Sequence, residues 1–173
     1  MDEKRIKLAE DNFRRYLRDN LIKKERFEDL IYNTYFNNAI ESLKVAEEIF
    51  NNKTSPLWVV VSSYYSMFYI ASAYVYKKGY RTGHEIVHQI INEAVIVLAR
   101  RDLEKHYLEE YEEEKQKALS ASQNLLDSYE SEKLKRSAFQ YETTGEIKES
   151  KAKTSLERAK NFVATLRQII NKN

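Results

Sequence analysis

The sequence predicts an all-α fold: an up-and-down bundle of five or six helices, in a single domain over residues 1–173. Two observations carry this. The 173 residues include three glycines and one proline, whereas β-sandwiches and α/β folds need many tight turns built on those residues. Apolar residues also recur in alternating steps of four and three, which traces one face of a helix. No stretch reads as a strand, a repeat or a linker.

The first helix is expected from about Asp2 to Lys23, with a thin stripe of Ile6, Ala9, Phe13, Leu17 and Leu21. The second runs from Phe27 to about Asn51 on Tyr32, Phe36, Ala39, Leu43, Ala46 and Phe50. Ser55-Pro56 restarts the chain, because serine caps and proline is tolerated at the first helical position. The central helix then stops at Lys77-Lys78-Gly79, cations followed by glycine. Thr82 and Glu85 are spaced as a capping box for a helix carrying Ile86, Ile90, Ile91, Ala94, Val97 and Leu98. That helix continues or kinks near Arg100-Arg101-Asp102. Its stripe extends through Leu103, Tyr107, Tyr111, Ala118, Leu125 and Tyr129, with Glu109 to Lys115 as a solvated charged stretch. Thr143-Thr144-Gly145 breaks the chain before a last helix on Ala152, Leu156, Ala159, Val163, Leu166 and Ile170.

The central helix tests the membrane question. Leu57 to Tyr76 is twenty uncharged residues, long enough to span a bilayer. Nine of the twenty carry hydroxyls, and a spanning helix would be richer in Leu, Ile and Val. It is therefore expected at the centre of a bundle, covered by its neighbours. The chain opens on Met1-Asp2-Glu3-Lys4-Arg5, which does not read as a signal peptide. There is no cysteine, hence no disulfide or thiolate zinc site, and a cytoplasmic protein is expected. Lys+Arg is 29 and Asp+Glu is 27, a net charge of +2. Such a balance argues against a dedicated duplex-DNA binder.

Several segments together resemble a known family. Asn38-Ala39-Ile40-Glu41-Ser42-Leu43-Lys44-Val45-Ala46 is followed by Ser63-Tyr64-Tyr65-Ser66-Met67-Phe68. Lys78-Gly79, a short loop and His84 come next, and Ala159-Lys160-Asn161-Phe162-Val163 closes the series. This order resembles the HEPN domain family, closest to its small stand-alone prokaryotic branch, over roughly Tyr35 to Ile170. The resemblance implies a helical bundle that forms a homodimer and interacts with RNA or nucleotides, with no cofactor. Many members are metal-independent endoribonucleases of toxin type. Others are non-catalytic modules that work with a nucleotidyltransferase antitoxin.

Nuclease members carry Arg, four to six residues, then His, and two stretches answer to that. Arg81 to His88 fits formally. Nearer the last helix, where the family motif lies, Arg136 is followed by Tyr141, with Gln140 where the small branch has Asp. The first cluster suits catalysis: Arg81, His84 and His88 supply a cation and two imidazoles. His84 matches the family's histidine after the Lys-Gly turn and is expected in the first turn of a helix, where the dipole favours the neutral ring. Metal-free cleavage needs a base for the 2′-hydroxyl proton and a cation for the phosphorane. The second cluster suits binding, because a phenol with a pKa near about 10 is a poor base at pH 7. Arg136 and Tyr141, with Lys77 and Lys78, are the expected RNA or nucleotide contacts.

His84-Glu85-Ile86-Val87-His88 also spells the zinc-protease pattern H-E-x-x-H. Its third ligand would have to be an undistinguished Glu104 or Glu109. His106 would lie about 27 Å beyond His88 on an unbroken helix. No metal is expected. The remaining basic clusters, Arg14 to Arg26, Arg100-Arg101 and Lys133 to Arg136, complement helix ends, or form a phosphate groove where they converge. Most of the thirteen tyrosines recur at helical spacing and are expected in the core.

Overall fold

The computed structural model describes residues 1–134 and 148–172, and side chains for 1–123 and 148–172. Among the described residues six helices form the bundle expected from the sequence: α1 (Glu3–Arg18), α2 (Asp29–Asn51), α3 (Pro56–Lys77), α4 (Val87–Ala99), α5 (Lys105–Leu134) and α6 (Glu149–Lys172). Two strands that the sequence reading missed, β1 (Ile22–Lys24) and β2 (Tyr80–Thr82), pair antiparallel.

Helix α3 is the axis. Ser55 caps it by accepting from the Trp58 amide, Pro56 opens it, and Gly79 leaves it at φ +86°. Helices α2, α4, α5 and α6 pack around it, and α1 lies on α4. Val60, Tyr64, Met67, Ile70, Ala71 and Tyr74 of α3 are buried. Only Trp58, Tyr65 and Lys77 of this helix are exposed, so the uncharged segment is covered as expected. Among the described residues no helix is long and apolar enough to cross a membrane.

Tyrosines fill the core. Tyr16, Tyr64, Tyr74, Tyr76 and Tyr111 are each at most 1 % exposed. The Tyr74 hydroxyl donates to the Leu98 carbonyl at 3.0 Å, tying α3 to the end of α4. The Tyr76 hydroxyl accepts from the Glu28 amide at 3.0 Å and donates to the Arg26 carbonyl at 3.1 Å. That residue clamps the segment between β1 and α2.

The charged stretch on α5 departs from expectation. Glu114 and Lys115 are buried, not solvated. Glu114 accepts from Lys117 at 2.7 Å and from Arg158 of α6 at 3.0 Å, which compensates a carboxylate removed from water. Arg5 of α1 reaches Glu93 of α4 at 2.7 Å and Glu112 of α5 at 2.8 Å.

The H-E-x-x-H segment also departs. Thr82 ends β2, so it does not cap a helix, and α4 begins only at Val87. The N-cap is Ile86 at φ 41°, ψ 34°, with no side-chain cap. A β-branched residue in this left-handed region is strained. His84 therefore precedes the helix, and His84 and His88 do not share a helical face. The protease reading loses its premise. The break after α4 falls at Arg100 to Glu104, so α4 and α5 are separate helices.

Candidate functional site

A cleft of about 760 Å³ opens beside the start of α4, lined by Arg5 and Asn12 of α1, His84 and Ile86 of the approach loop, Val87, His88 and Glu93 of α4, and Glu112 and Lys115 of α5. It gathers both predicted histidines.

His88 is the second residue of α4 and half-buried. Its Nδ1 lies 2.8 Å from the Tyr64 hydroxyl. Its ring stands 4.2 Å from that of Phe68 and 5.6 Å from that of Tyr65. Burial, then the nearby Lys115 charge, holds the His88 pKa below its ordinary 6.5. Neutral imidazole is thus favoured at pH 7, as was expected for His84, and here burial adds to the position in the first turn. Burial also pushes the Tyr64 phenol well up, so its hydroxyl stays protonated. When the proton sits on Nδ1 and is donated to the Tyr64 oxygen, Nε2 is left with a free lone pair.

The pair is anchored by a ladder of rings, one from each of four helices. Phe162 of α6 stacks on Tyr111 of α5 at 5.1 Å. Tyr111 stacks on Tyr64 of α3 at 6.1 Å. Tyr64 then holds His88 of α4. The site is set by the bundle core, not by a loop.

The other predicted residues lie elsewhere. Arg81 sits on β2 opposite Lys23, and Lys24 opposite Tyr80. Two basic clusters distant in sequence, Lys23 to Arg26 and Lys77 to Arg81, thereby converge within one chain. The ribbon is closed by the Glu25 amide on the Gly79 carbonyl at 3.0 Å and the Gly83 amide on the Leu21 carbonyl at 2.9 Å. Lys77 lies 5.5 Å from the Phe27 ring centroid, and Lys78 pairs with Asp102 at 3.7 Å. Among the described residues no carboxylate pairs with Lys24, Arg26 or Arg81. Gly83 then carries the chain from the ribbon to His84 at the cleft. Arg136 and Tyr141 lie outside the described residues, as do Gln140 and the Thr143-Thr144-Gly145 break.

The sequence reading missed Tyr64 as the partner of His88, and it missed Lys115. Its signal was spacing: Tyr111, Lys115 and Ala118 stand in steps of four and three on the buried face of α5. Among the described residues no group of three or more metal-ligating side chains comes together.

The family model described as HEPN domain matches residues 32–169 of the chain. No curated protein and no solved structure matches it.

Proposed function

The chain belongs to the HEPN domain family, and from that premise we propose that it binds RNA and cleaves it without a metal ion. The observation that carries the reading is the continuity of basic ribbon and histidine cleft through Gly83-His84. Lys24, Arg26 and Arg81 offer charge to a phosphate backbone, and exposed Phe27 offers a face to an unpaired base. In the cleft, His88 Nε2 takes the 2′-hydroxyl proton. The 2′-oxygen bonds to phosphorus, the bond to the 5′-oxygen breaks, and His84 or water protonates the leaving oxygen. The products are a 2′,3′-cyclic phosphate and a 5′-hydroxyl. The test is binding of a labelled single-stranded RNA by the purified chain in chelator. The reading expects a complex with RNA and a weaker one with a DNA duplex of equal length. Equal binding of the duplex, or no RNA complex, would overturn it.

The same reading includes a homodimer. On α3, exposed Trp58 and Tyr65 and half-buried Ser62 and Tyr69 form one partly uncovered stripe, with Trp58 51 % and Tyr65 37 % exposed. With Val45 of α2 they line a shallow groove of about 410 Å³. A symmetric second copy would cover this apolar stripe. Light scattering at micromolar concentration is expected to give twice the chain mass, and Trp58→Glu the mass of one chain. A concentration-independent wild-type monomer would refute the dimer.

A further inference from the structure

We propose that the start of α4 is a two-state switch: the chain leaves its turn at Ile86 and winds one more helical turn back to Thr82, which carries His84 onto the same helical face as His88. That the paired histidines then act on RNA rests on the function proposed above; the switch itself does not.

The resting turn is weakly held. Ile86 lies at φ 41°, ψ 34°, a left-handed conformation that glycine adopts freely and a β-branched residue does not. Burial does not offset that strain: Gly83, His84, Glu85 and Ile86 are all exposed, Ile86 by 52 %. Among the described residues no hydrogen bond or ion pair engages the side chain of His84 or Glu85. The first turn of α4 is also uncapped, since Ile86 has no side-chain acceptor for the amides that follow it.

The wound state is written in the same residues. Thr82 and Glu85 keep the spacing of a capping box. An N-cap residue has an extended backbone, so Thr82 can cap without leaving its place opposite Ile22. The Gly83 amide, now on the Leu21 carbonyl at 2.9 Å, becomes a first-turn amide that has no partner within a helix, so that bond also survives. The Ile90 amide already meets the Ile86 carbonyl at 3.1 Å in helical spacing. Winding therefore releases the strain at Ile86 and breaks no bond of the ribbon. His84 and His88 then stand four apart on one face, their Cβ atoms about 5–6 Å from each other. That spacing suits an acid and a base on either side of one scissile bond, and it would make His84 rather than water the acid of the proposed reaction.

Zinc alone is the probe, because two imidazoles four apart on a helix hold one zinc ion. The full chain is titrated with zinc at neutral pH while NMR follows the backbone shifts of residues 83–86. Those shifts are expected to be non-helical before zinc and helical after it, and His84→Ala should abolish both binding and change. Ile86→Gly favours the turn over the helix and should weaken zinc binding about tenfold or more. Thr82→Val keeps a strand-forming side chain but loses the capping oxygen, and should weaken it several-fold. Two histidines that simply lie near each other would bind zinc with unchanged shifts and would ignore both substitutions. The switch falls if zinc does not bind, if the shifts of 83–86 do not become helical, or if both variants bind as wild type does. Helical shifts before zinc is added overturn it as well. Should a variant fail to fold, the wild-type shifts decide alone. If zinc winds the turn while RNA is neither bound nor cleaved, the RNA reading fails and the switch stands.

Discussion

Replacing His88 by alanine is expected to slow RNA cleavage by about 10²–10⁴-fold, the contribution of a positioned acid–base group. Of the two histidines, His88 has the geometry asked of the base in the proposed reaction. Its ring is half-buried, held at Nδ1 by Tyr64, and its pKa lies below 6.5. His84 is exposed on the approach loop. A base is active only when deprotonated, so activity should fall as pH drops through the lowered His88 pKa. The acid limb of kcat/KM should therefore lie below pH 6.5. Tyr64→Phe removes one hydrogen bond, worth about 1 kcal/mol, and should slow the reaction by about tenfold or less. Gel assays of labelled RNA with chelator present check both. Full activity in His88→Ala would move the chemistry to the cluster of Arg136 and Tyr141.

Phe162→Ala is expected to destabilise the fold by about 3–5 kcal/mol, the usual cost of removing a buried aromatic ring. Phe162 is fully buried and lies at 5.1 Å and 17° against the ring of Tyr111. In a domain of this size that corresponds to a fall in Tm of roughly 6–20 °C. The same cavity removes the foot of the ladder that ends at His88. Cleavage measured below the new Tm should therefore fall too. Calorimetry and the gel assay on one preparation check this. Lost stability with wild-type activity would show that the ladder does not position the histidine.

The central helix was legible because its ends are written locally. Ser55-Pro56 caps it and Lys77-Lys78-Gly79 ends it, as the structure shows. The ribbon was not legible. Strands of three residues such as Ile22–Lys24 and Tyr80–Thr82 are too short to show alternation, and their pairing spans the whole of α2 and α3. Thr82 and Glu85 kept the spacing of a capping box, but strand pairing claimed Thr82 and the chain turned at Ile86 instead. His88 was legible as a residue type, whereas its partner was not, because Tyr64 lies 24 positions away. Lys115 was hidden by composition. Four consecutive charges, Glu112 to Lys115, look solvated, although the last two point inward. Arg5 draws Glu93 and Glu112 to itself from a distant helix, and nothing local in the sequence records that.

The claim that RNA lies along the ribbon is tested most directly by the salt dependence of binding. Affinity for a single-stranded RNA is measured from low to physiological salt, for wild type and for a variant with Lys24, Arg26 and Arg81 all replaced by alanine. Each phosphate contact on a single strand contributes about 0.7 to the slope of log K against log salt. The variant should bind more weakly, with a slope flatter by about two units. A variant with wild-type affinity and slope would place the RNA away from the ribbon.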